Sequence, residues 1–212
     1  MKAILLAGGT GSRMRPTTTV TNKHLLPVYN KPMIFYSLSV LLLLKFREII
    51  IICEPRSIDL YKKLLSDGSS LGIKIKYVIQ KKPNGIPESF LISQKLIKGE
   101  NVCLMLADNF IFGNDLYKFL KKGLHNIKGA HFFAYSVQNP QNYAVLNNKK
   151  NTIIDIEEKP KNPKTNLAIP GLYFFDKDVV KHCKSLKKSK RGELEIVDLI
   201  NIYINKKKKL NF

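Results

Sequence analysis

Apolar runs alternate with helical patterns from the start of the chain to Val137, and this alternation limits the fold more than any other feature of the sequence. The runs that predict strands are Lys2–Ala7, Glu48–Cys53, Lys74–Gln80, Val102–Ala107 and Ala130–Val137. Between them, apolar residues at helical spacing predict helices over Met33–Lys45, Ile58–Leu65, Glu88–Lys98 and Leu116–Asn126. Such alternation predicts an α/β fold in which a mostly parallel sheet is sandwiched by helices.

After Val137 the predicted elements become shorter. Tyr143–Leu146, Thr152–Glu157 and Ala168–Phe174 predict short strands, which we interpret as a small antiparallel addition to the main sheet. Lys177–Leu186 and Leu194–Ile204 predict two closing helices. Because the chain contains no repeat and no linker-like segment, residues 1–212 are predicted to form a single domain.

Composition excludes several classes of protein. Hydrophobic residues make up 44% of the chain, which is typical of a globular protein. The longest nearly apolar stretch, Met33 to Leu44, is shorter than the roughly 20 residues that cross a bilayer, so we expect no membrane partner and no signal peptide.

The cysteines, Cys53, Cys103 and Cys183, are far apart. This spacing argues against a disulfide framework or a zinc site and favours the reducing cytoplasm.

The net charge of +20 invites a nucleic-acid interpretation, which the pattern of charge does not support. Nearly all the excess is lysine spread along the whole chain, and no base-stacking motif or helix-turn-helix pattern accompanies it. We therefore expect a solvated basic surface and no specific nucleic-acid partner.

A glycine-rich loop follows the first predicted strand and is the strongest functional signal. Gly8, Gly9 and Gly11 allow backbone N–H groups to approach an anion that a Cβ would block. Arg13 and Arg15 add permanent positive charge at the same place. The loop is neither a P-loop nor a dinucleotide fingerprint, and on its own it indicates only an anion at the end of a strand.

Further polar residues follow other predicted strands. Gln80 ends one strand and can present a donor and an acceptor to a base, while Gly85 allows close backbone approach. Asp108 follows Val102–Ala107, a position at which a carboxylate commonly binds Mg²⁺ together with water and phosphate oxygens. Lys23 can reach back toward phosphates in the glycine loop. Since ligands of open α/β sheets bind at the carboxyl ends of strands, we expect these residues in one crevice.

The later motifs complete a set that resembles a known family, the sugar nucleotidyltransferases. The resemblance runs in order from Met1 to about Ile204. The residues that carry it are Leu6-Ala7-Gly8-Gly9-Thr10-Gly11-Ser12-Arg13, Lys23-His24-Leu25-Leu26-Pro27-Val28-Tyr29, Lys31-Pro32-Met33, Asp108-Asn109, Glu157-Glu158-Lys159-Pro160, Gly171-Leu172-Tyr173 and Arg191-Gly192-Glu193-Leu194-Glu195. It implies a Rossmann-like fold of the nucleotide-diphospho-sugar transferase type.

The resemblance also implies a reaction, in which dTTP and α-D-glucose 1-phosphate give dTDP-glucose and pyrophosphate with Mg²⁺ as cofactor. The product is the entry to dTDP-rhamnose and other deoxysugars of surface polysaccharides. The implied nucleotide-binding residues are Gly8, Gly9, Gly11, Arg13, Gln80, Gly85 and Asp108, with Asp108 also the metal ligand. The implied sugar-phosphate residues are Asn109, Ala144, Glu158, Lys159, Gly171, Tyr173 and Arg191. Arg13, Lys23 and Lys159 are the implied catalytic residues, and a homo-oligomer is compatible with the resemblance.

Departures from the family pattern keep two alternatives open. Pro87-Glu88-Ser89 differs from the usual small-residue and Gln pattern after Gly85, which leaves UTP or CTP as the nucleotide. Ala144 stands where the family usually has glycine beside the sugar. The family also has a second metal-binding Asp in a later Trp-Leu-Asp-Thr-Gly type segment, whereas this chain has no Trp. We therefore expect a chain shortened at its C-terminus, and a nucleotide-binding remnant without turnover is the second alternative.

Overall fold

The computed structural model describes residues 1–9, 11–124, 127–149, 152–206 and 209–211, the last three by their backbone alone. The strands are β1 (Lys2–Ala7), β2 (Pro27–Val28), β3 (Lys31–Pro32), β4 (Glu48–Cys53), β5 (Lys74–Ile79), β6 (Val102–Leu106), β7 (Gly129–Phe132), β8 (Tyr135–Ser136), β9 (Ala144–Lys149), β10 (Thr152–Glu158), β11 (Leu167–Ala168), β12 (Leu172–Phe175) and β13 (Lys209–Asn211). The helices are α1 (Ile34–Leu43), α2 (Ile58–Leu65), α3 (Glu88–Ile92), α4 (Gln94–Ile97), α5 (Leu116–Leu120), α6 (Val179–Lys184) and α7 (Ile196–Asn205).

The main sheet is mostly parallel, as predicted. Within the described residues its strand order is β13-β7-β12-β6-β1-β4-β5. Strands β4 and β6 flank β1 in parallel, and β5 extends the sheet in parallel beyond β4. Strand β12 is antiparallel to both β6 and β7. The predicted α/β class with helices around a mostly parallel sheet is confirmed.

Successive residues of the central strands face two different cores. In β4, Ile49 and Ile51 pack in one buried cluster, whereas Ile50 and Ile52 pack in the cluster on the opposite face. Both faces of the strand are therefore covered, which explains why its sequence is a continuous apolar run.

Two predicted strands are wrong in their length, because each is divided between two sheets. The segment predicted as Ala130–Val137 leaves the main sheet after Phe132, and Tyr135–Ser136 joins a second sheet of order β10-β9-β11-β8. The segment predicted as Ala168–Phe174 is interrupted at Pro170, which has no N–H to donate to a ladder. Its two parts, β11 and β12, pair with different partners. The small antiparallel addition is thus a separate four-stranded sheet among the described residues.

Two predicted helices are also shorter than expected. The segment Glu88–Lys98 breaks at Ser93 into α3 and α4. The segment Leu116–Asn126 becomes helical over α5 and continues as a 3₁₀ turn over Lys121–Leu124, and its last two residues lie outside the described residues. Among the described helices, none combines the length and the apolar character that a bilayer crossing demands.

The sheet places three of the predicted site loops at one edge. Ala7 of β1 is in register with Cys53 of β4, and Cys53 is in register with Ile79 of β5. On the other side of β1, Leu6 is in register with Leu106 of β6. The segments that follow β1, β5 and β6 therefore emerge side by side at the carboxyl ends of parallel strands.

Candidate active site

A cleft of about 250 Å³ lies at this carboxyl edge. Its lining residues come from the three loops and from a later segment: Leu6, Gly8, Gly9, Lys23, His24, Gln80, Pro83, Gly85, Ile86, Leu106, Asp108 and Glu193. A second depression of about 290 Å³ adjoins it through Lys23 and is otherwise lined by Gly11, Ser12, Arg13 and Met14. The residues predicted to hold a nucleotide are therefore brought together.

At two positions of the glycine loop, the backbone conformation would be strained in a residue that has a side chain. Gly9 has φ +98° and Gly11 has φ +60°, both in the left-handed region that favours glycine. A Cβ on Gly11 would lie 2.9 Å from Cγ2 of Thr18, whose hydroxyl donates to the Gly11 carbonyl at 2.7 Å. Thr10 lies outside the described residues. Arg13 follows in an exposed 3₁₀ turn, with its side chain beside the second depression.

Lys23 and Asp108 form an ion pair across the cleft, although they are far apart in the sequence. Burial raises the pKa of the Asp108 carboxyl, but the charge and hydrogen bond of Lys23 outweigh burial and hold that pKa below its usual value. Asp108 is therefore ionised and accepts a second hydrogen bond, from Nδ2 of Asn109 at 3.1 Å.

A buried polar network holds the turn that carries Lys23. Asn22 Oδ1 accepts hydrogen bonds from the His24 backbone N–H at 3.0 Å and from the Tyr61 hydroxyl at 3.0 Å. Asn22 Nδ2 donates to Glu54 Oε1 at 2.9 Å. Burial, followed by the charge of Lys23, lowers the pKa of His24 to about 4, so this histidine is neutral and structural at neutral pH. Sequence reasoning missed Asn22, Glu54 and Tyr61, because only the fold brings them together.

Gln80 and Gly85 lie at the other end of the cleft. Gln80 is 7% exposed, and its Nε2 donates to Glu88 Oε2 at 2.7 Å and to the Gly85 carbonyl at 3.4 Å. Gly85 has φ +98° and pairs with Leu194, so closely that a Cβ on Gly85 would lie 2.0 Å from the Leu194 carbonyl oxygen. Glycine is therefore required at this position, and the contact brings the segment after α6 against the cleft.

The predicted sugar-phosphate residues include two separate sets of contacts. Asn109 Oδ1 accepts from the Gly171 N–H at 2.9 Å, which ties the loop after β6 to the start of β12. Glu158 Oε1 lies 3.5 Å from Nη2 of Arg191 and 3.7 Å from Nζ of Lys159. These charged groups do not line the 250 Å³ cleft, although Glu193 does.

Arg191 also has a bidentate partner. Its Nε donates to Glu195 Oε1 at 3.1 Å and its Nη2 to Oε2 at 2.7 Å. Burial raises the pKa of Glu195, but the Arg191 hydrogen bonds outweigh this and keep the pKa below its usual value. The pair fixes the guanidinium beside Glu158, and Lys159 adopts the left-handed region at φ +46° in the same neighbourhood.

Tyr173 and Ala144 are less accessible than a substrate contact would suggest. Tyr173 is 3% exposed and packs in the second core cluster, where burial raises the pKa of its hydroxyl. Ala144 is half-buried at the start of β9 and packs against the same cluster. Ala144 is in register with Glu158 across β9 and β10, so it lies beside one of the charged residues predicted at the sugar phosphate.

The single carboxylate of Asp108 fits a magnesium ion whose other ligands are water and phosphate oxygens of a substrate. Within the described part of the chain, no three His, Cys, Asp or Glu side chains gather closely enough to hold a metal by themselves. Mg²⁺ is commonly bound by one or two carboxylates together with water and phosphate oxygens. Asp108 supplies an ionised carboxylate at the cleft.

A larger pocket of about 380 Å³ is lined by Asn109 and by much of the segment that follows it. Its lining is mostly apolar and includes Phe110, Phe112, Phe119 and Phe133. No charged side chain lines it among the residues that the structure describes. It is therefore less suited to phosphorylated substrates than the 250 Å³ cleft.

Comparison with known proteins gives a consistent result. The family model described as Nucleotidyl transferase matches residues 2–212. A glucose-1-phosphate thymidylyltransferase of Neisseria meningitidis serogroup A is 46% identical over 205 residues, which are 96% of this chain and 71% of that protein. The enzyme of the same name from Mycolicibacterium smegmatis is 42% identical over 207 residues, which are 97% of this chain and 72% of that protein.

Solved structures agree at the level of the fold. A protein of Bacillus anthracis assigned as a glucose-1-phosphate thymidylyltransferase, solved with sucrose, superposes with a TM-score of 0.92 at 37% identity. The superposition covers 100% of this chain and 86% of that one. A UDP-glucose pyrophosphorylase complexed with UDP-glucose superposes with a TM-score of 0.84 at 22% identity, covering 100% of this chain and 89% of that one, and this likeness concerns the fold alone.

Proposed function

The chain belongs to the nucleotidyl transferase family, and we propose that it joins dTTP to α-D-glucose 1-phosphate, giving dTDP-glucose and pyrophosphate. The observation that carries the proposal is the meeting of the glycine loop, Lys23, Gln80 and Asp108 in one cleft at the carboxyl edge of the sheet. Relatives at 42–46% identity named for this reaction support the same assignment.

The reaction needs alignment more than acid–base chemistry. An ionised phosphate oxygen of the sugar phosphate attacks the α-phosphorus of dTTP, a new P–O bond forms, and the bond to the β-phosphate breaks to release pyrophosphate. Because the attacking phosphate is already anionic, no general base is required. The protein must hold two polyanions in line and offset their charge.

We assign the triphosphate to the loop after β1. The backbone of Gly8, Gly9 and Gly11 lines the nucleotide, and Arg13 holds the triphosphate and the departing pyrophosphate. Lys23 reaches the reacting phosphates from the side of Asp108. Its ammonium is already held at the cleft by that carboxylate, which positions it for this role.

The base and the sugar phosphate occupy opposite sides of the reacting phosphates in this proposal. Gln80 and Gly85 contact the base, while Lys159 and Arg191 hold the phosphate of glucose 1-phosphate. The remaining residues assigned to the sugar side are Asn109, Ala144, Glu158, Gly171 and Tyr173. The ion pairs of Glu158 with Lys159 and Arg191 support a common site for these two cations.

Asp108 is the residue that we assign to Mg²⁺. When bound, the ion acts as a Lewis acid and template for the phosphates. Lys23 neutralises the same carboxylate when the ion is not there, and Asn109 fixes its second oxygen. The product would feed the formation of dTDP-rhamnose and other deoxysugars of surface polysaccharides.

The test is a pyrophosphate-release assay with α-D-glucose 1-phosphate, Mg²⁺ and, in turn, dTTP, UTP and CTP, with nucleotide binding measured by calorimetry on the same preparation. We expect release with the highest kcat/KM for dTTP. A higher value for UTP or CTP would overturn the nucleotide assignment but leave the family reaction. Saturable dTTP binding without release at saturating Mg²⁺ would instead identify a binding protein without turnover.

A further inference from the structure

We propose that Glu88 selects the base by fixing the orientation of the Gln80 side-chain amide, so that the cleft accepts thymine or uracil and rejects cytosine. The inference rests on the proposed function in one respect, namely that a nucleotide base lies against Gln80 with its ring N3 toward Oε1. It assigns Glu88 as a positioning residue, since Glu88 acts through Gln80 rather than on the base itself.

The evidence begins with the partners of Glu88, at the first residue of α3. Its Oε2 accepts from Gln80 Nε2 at 2.7 Å, and its Oε1 accepts from Asn84 Nδ2 at 2.6 Å. An ionised carboxylate has acceptors only. Both amides must therefore turn their NH₂ groups toward Glu88, because the opposite orientation would place an amide oxygen against a carboxylate oxygen.

The consequence concerns the other end of the Gln80 amide. With Nε2 held by Glu88 and by the Gly85 carbonyl at 3.4 Å, Oε1 faces Gly8. A Cβ on Gly8 would lie 2.7 Å from this oxygen, and both residues line the 250 Å³ cleft. Gly8 therefore leaves the oxygen uncovered, and the amide presents an acceptor to the ligand.

An acceptor that faces ring N3 of the base distinguishes the pyrimidines. Thymine and uracil carry a ring N3–H donor between two carbonyl groups, whereas N3 of cytosine is an acceptor. Cytosine would thus place two acceptors face to face in a nearly buried site, and the lost pairing is worth about tenfold or more in specificity. A hydrogen bond to Gln80 Oε1 does not involve the 5-methyl group of thymine. It therefore does not discriminate between dTTP and UTP.

Glu88 lies in the Pro87-Glu88-Ser89 segment, where the chain departs from the usual family pattern. That departure left CTP open as a substrate. The hydrogen bonds of Glu88 change this interpretation, because a carboxylate at this position holds the Gln80 amide in one orientation.

The test uses Glu88→Gln, which keeps the size of the side chain but replaces one acceptor oxygen by a donor. Two amide NH₂ groups then compete for a single carbonyl, and Gln80 is free to turn. We expect the ratio of kcat/KM for dTTP to that for CTP to fall about tenfold. The double variant Asn84→Asp/Glu88→Gln supplies a carboxylate at 84 that orients the new amide, and we expect it to restore the ratio.

The control is Asp59→Asn, which removes an exposed carboxylate from the first turn of α2, outside the lining of the cleft. Its nucleotide ratio should match that of the unchanged protein. A purely structural role of Glu88 would lower the rates with dTTP and CTP equally, and an unchanged ratio in Glu88→Gln overturns the inference.

Calorimetric binding of dTDP and CDP separates this inference from the proposed function. If the unchanged protein binds dTDP more tightly than CDP but releases no pyrophosphate, the proposed function fails. In that case a loss of the dTDP preference in Glu88→Gln, with recovery in the double variant, still supports the inference. Equal binding of dTDP and CDP by the unchanged protein overturns it.

Discussion

At the scale of single residues, the ion pair of Lys23 and Asp108 supplies the two charges that we propose to meet phosphates and Mg²⁺. Each charge is partly buried, which is unfavourable alone, and each is offset by the other. In our proposal the ammonium of Lys23 meets the negative phosphates, and the carboxylate of Asp108 meets the positive metal ion. Removing one member should therefore affect the chemistry more than the fold.

Asp108→Asn tests this expectation. The variant keeps the volume of the side chain but removes the charge that we assign to Mg²⁺ and to Lys23. We predict a fall of about 100-fold or more in kcat/KM for pyrophosphate release, with a thermal midpoint within a few degrees of the unchanged protein. The matched control is Asp115→Asn, which removes an exposed carboxylate from the same loop. Equal rates in Asp108→Asn and in the control would contradict the assignment.

A second prediction at this scale concerns His131, which lies on β7 against Phe133 and Phe174. Burial, followed by the charge of Lys122, lowers the pKa of His131 from 6.5 to about 4. Between these values the unfolded chain binds the proton more readily than the folded one. Stability should therefore fall as the pH is lowered from about 6.5 to about 4.

His131→Phe removes this titration while keeping an aromatic ring among its neighbours. We predict that the thermal midpoint of the variant falls less than that of the unchanged protein over the same pH window. Midpoints measured by calorimetry at half-unit intervals would check this. Parallel curves of thermal midpoint against pH for the two proteins would contradict the lowered pKa of His131 in the folded protein.

At the scale of elements, the loop between β5 and α3 depends on a contact with a distant segment. Gly85 pairs with Leu194, and the Leu194 N–H donates to the Asn84 carbonyl at 2.8 Å. This contact closes the end of the cleft that holds Gln80 and Gly85, and it places Glu193 in the cleft wall. The loop is therefore held by backbone approach as well as by the Glu88 hydrogen bonds.

Gly85→Ala should open this contact. The new Cβ would lie 2.0 Å from the Leu194 carbonyl oxygen, so one of the two segments must move. Gly72→Ala is the matched control, since Gly72 also has positive φ (+67°) but a Cβ there meets no described atom within 4 Å. We predict a loss of about 1–2 kcal/mol in the control from backbone strain and a larger loss in Gly85→Ala.

Urea denaturation gives the two free energies of unfolding, and dTTP binding by calorimetry gives the functional comparison. Only Gly85→Ala should weaken dTTP binding. If both variants lose the same stability and bind dTTP as the unchanged protein does, the contact with Leu194 does not hold the Gln80–Gly85 end of the cleft.

At the scale of the whole molecule, the sequence predicts those elements and site residues that local residue patterns determine. The parallel strands and α2 are visible in apolar runs and periodicity. The cleft residues Gly8, Gln80 and Asp108 are visible because each lies within two residues of the carboxyl end of a strand. Pro170 marks the interruption of Ala168–Phe174 in the sequence, but the partners of each half were not predictable, since β11 pairs with β8 and β9 and β12 pairs with β6 and β7 only in the folded chain.

The supporting residues of the site were hidden for a related reason. Asn22, Glu54 and Tyr61 are common residue types in unremarkable local patterns, and their network forms only when β1, β4 and α2 pack together. The same holds for Glu88, whose role depends on the direction of the Gln80 side chain. The residues that we propose to contact a ligand follow strand ends, whereas the residues that hold them in place are defined by tertiary contacts.

The central claim is that this cleft transfers a nucleotidyl group from a triphosphate to a sugar phosphate, and isotope tracing tests it most directly. The protein is incubated with Mg²⁺, α-D-glucose 1-phosphate and dTTP labelled with ³²P at either the α or the γ position. The account predicts that the α label appears in dTDP-glucose and the γ label in pyrophosphate, in equal amounts. An α label that stays in dTTP, or that passes only to dTMP or dTDP, would contradict it.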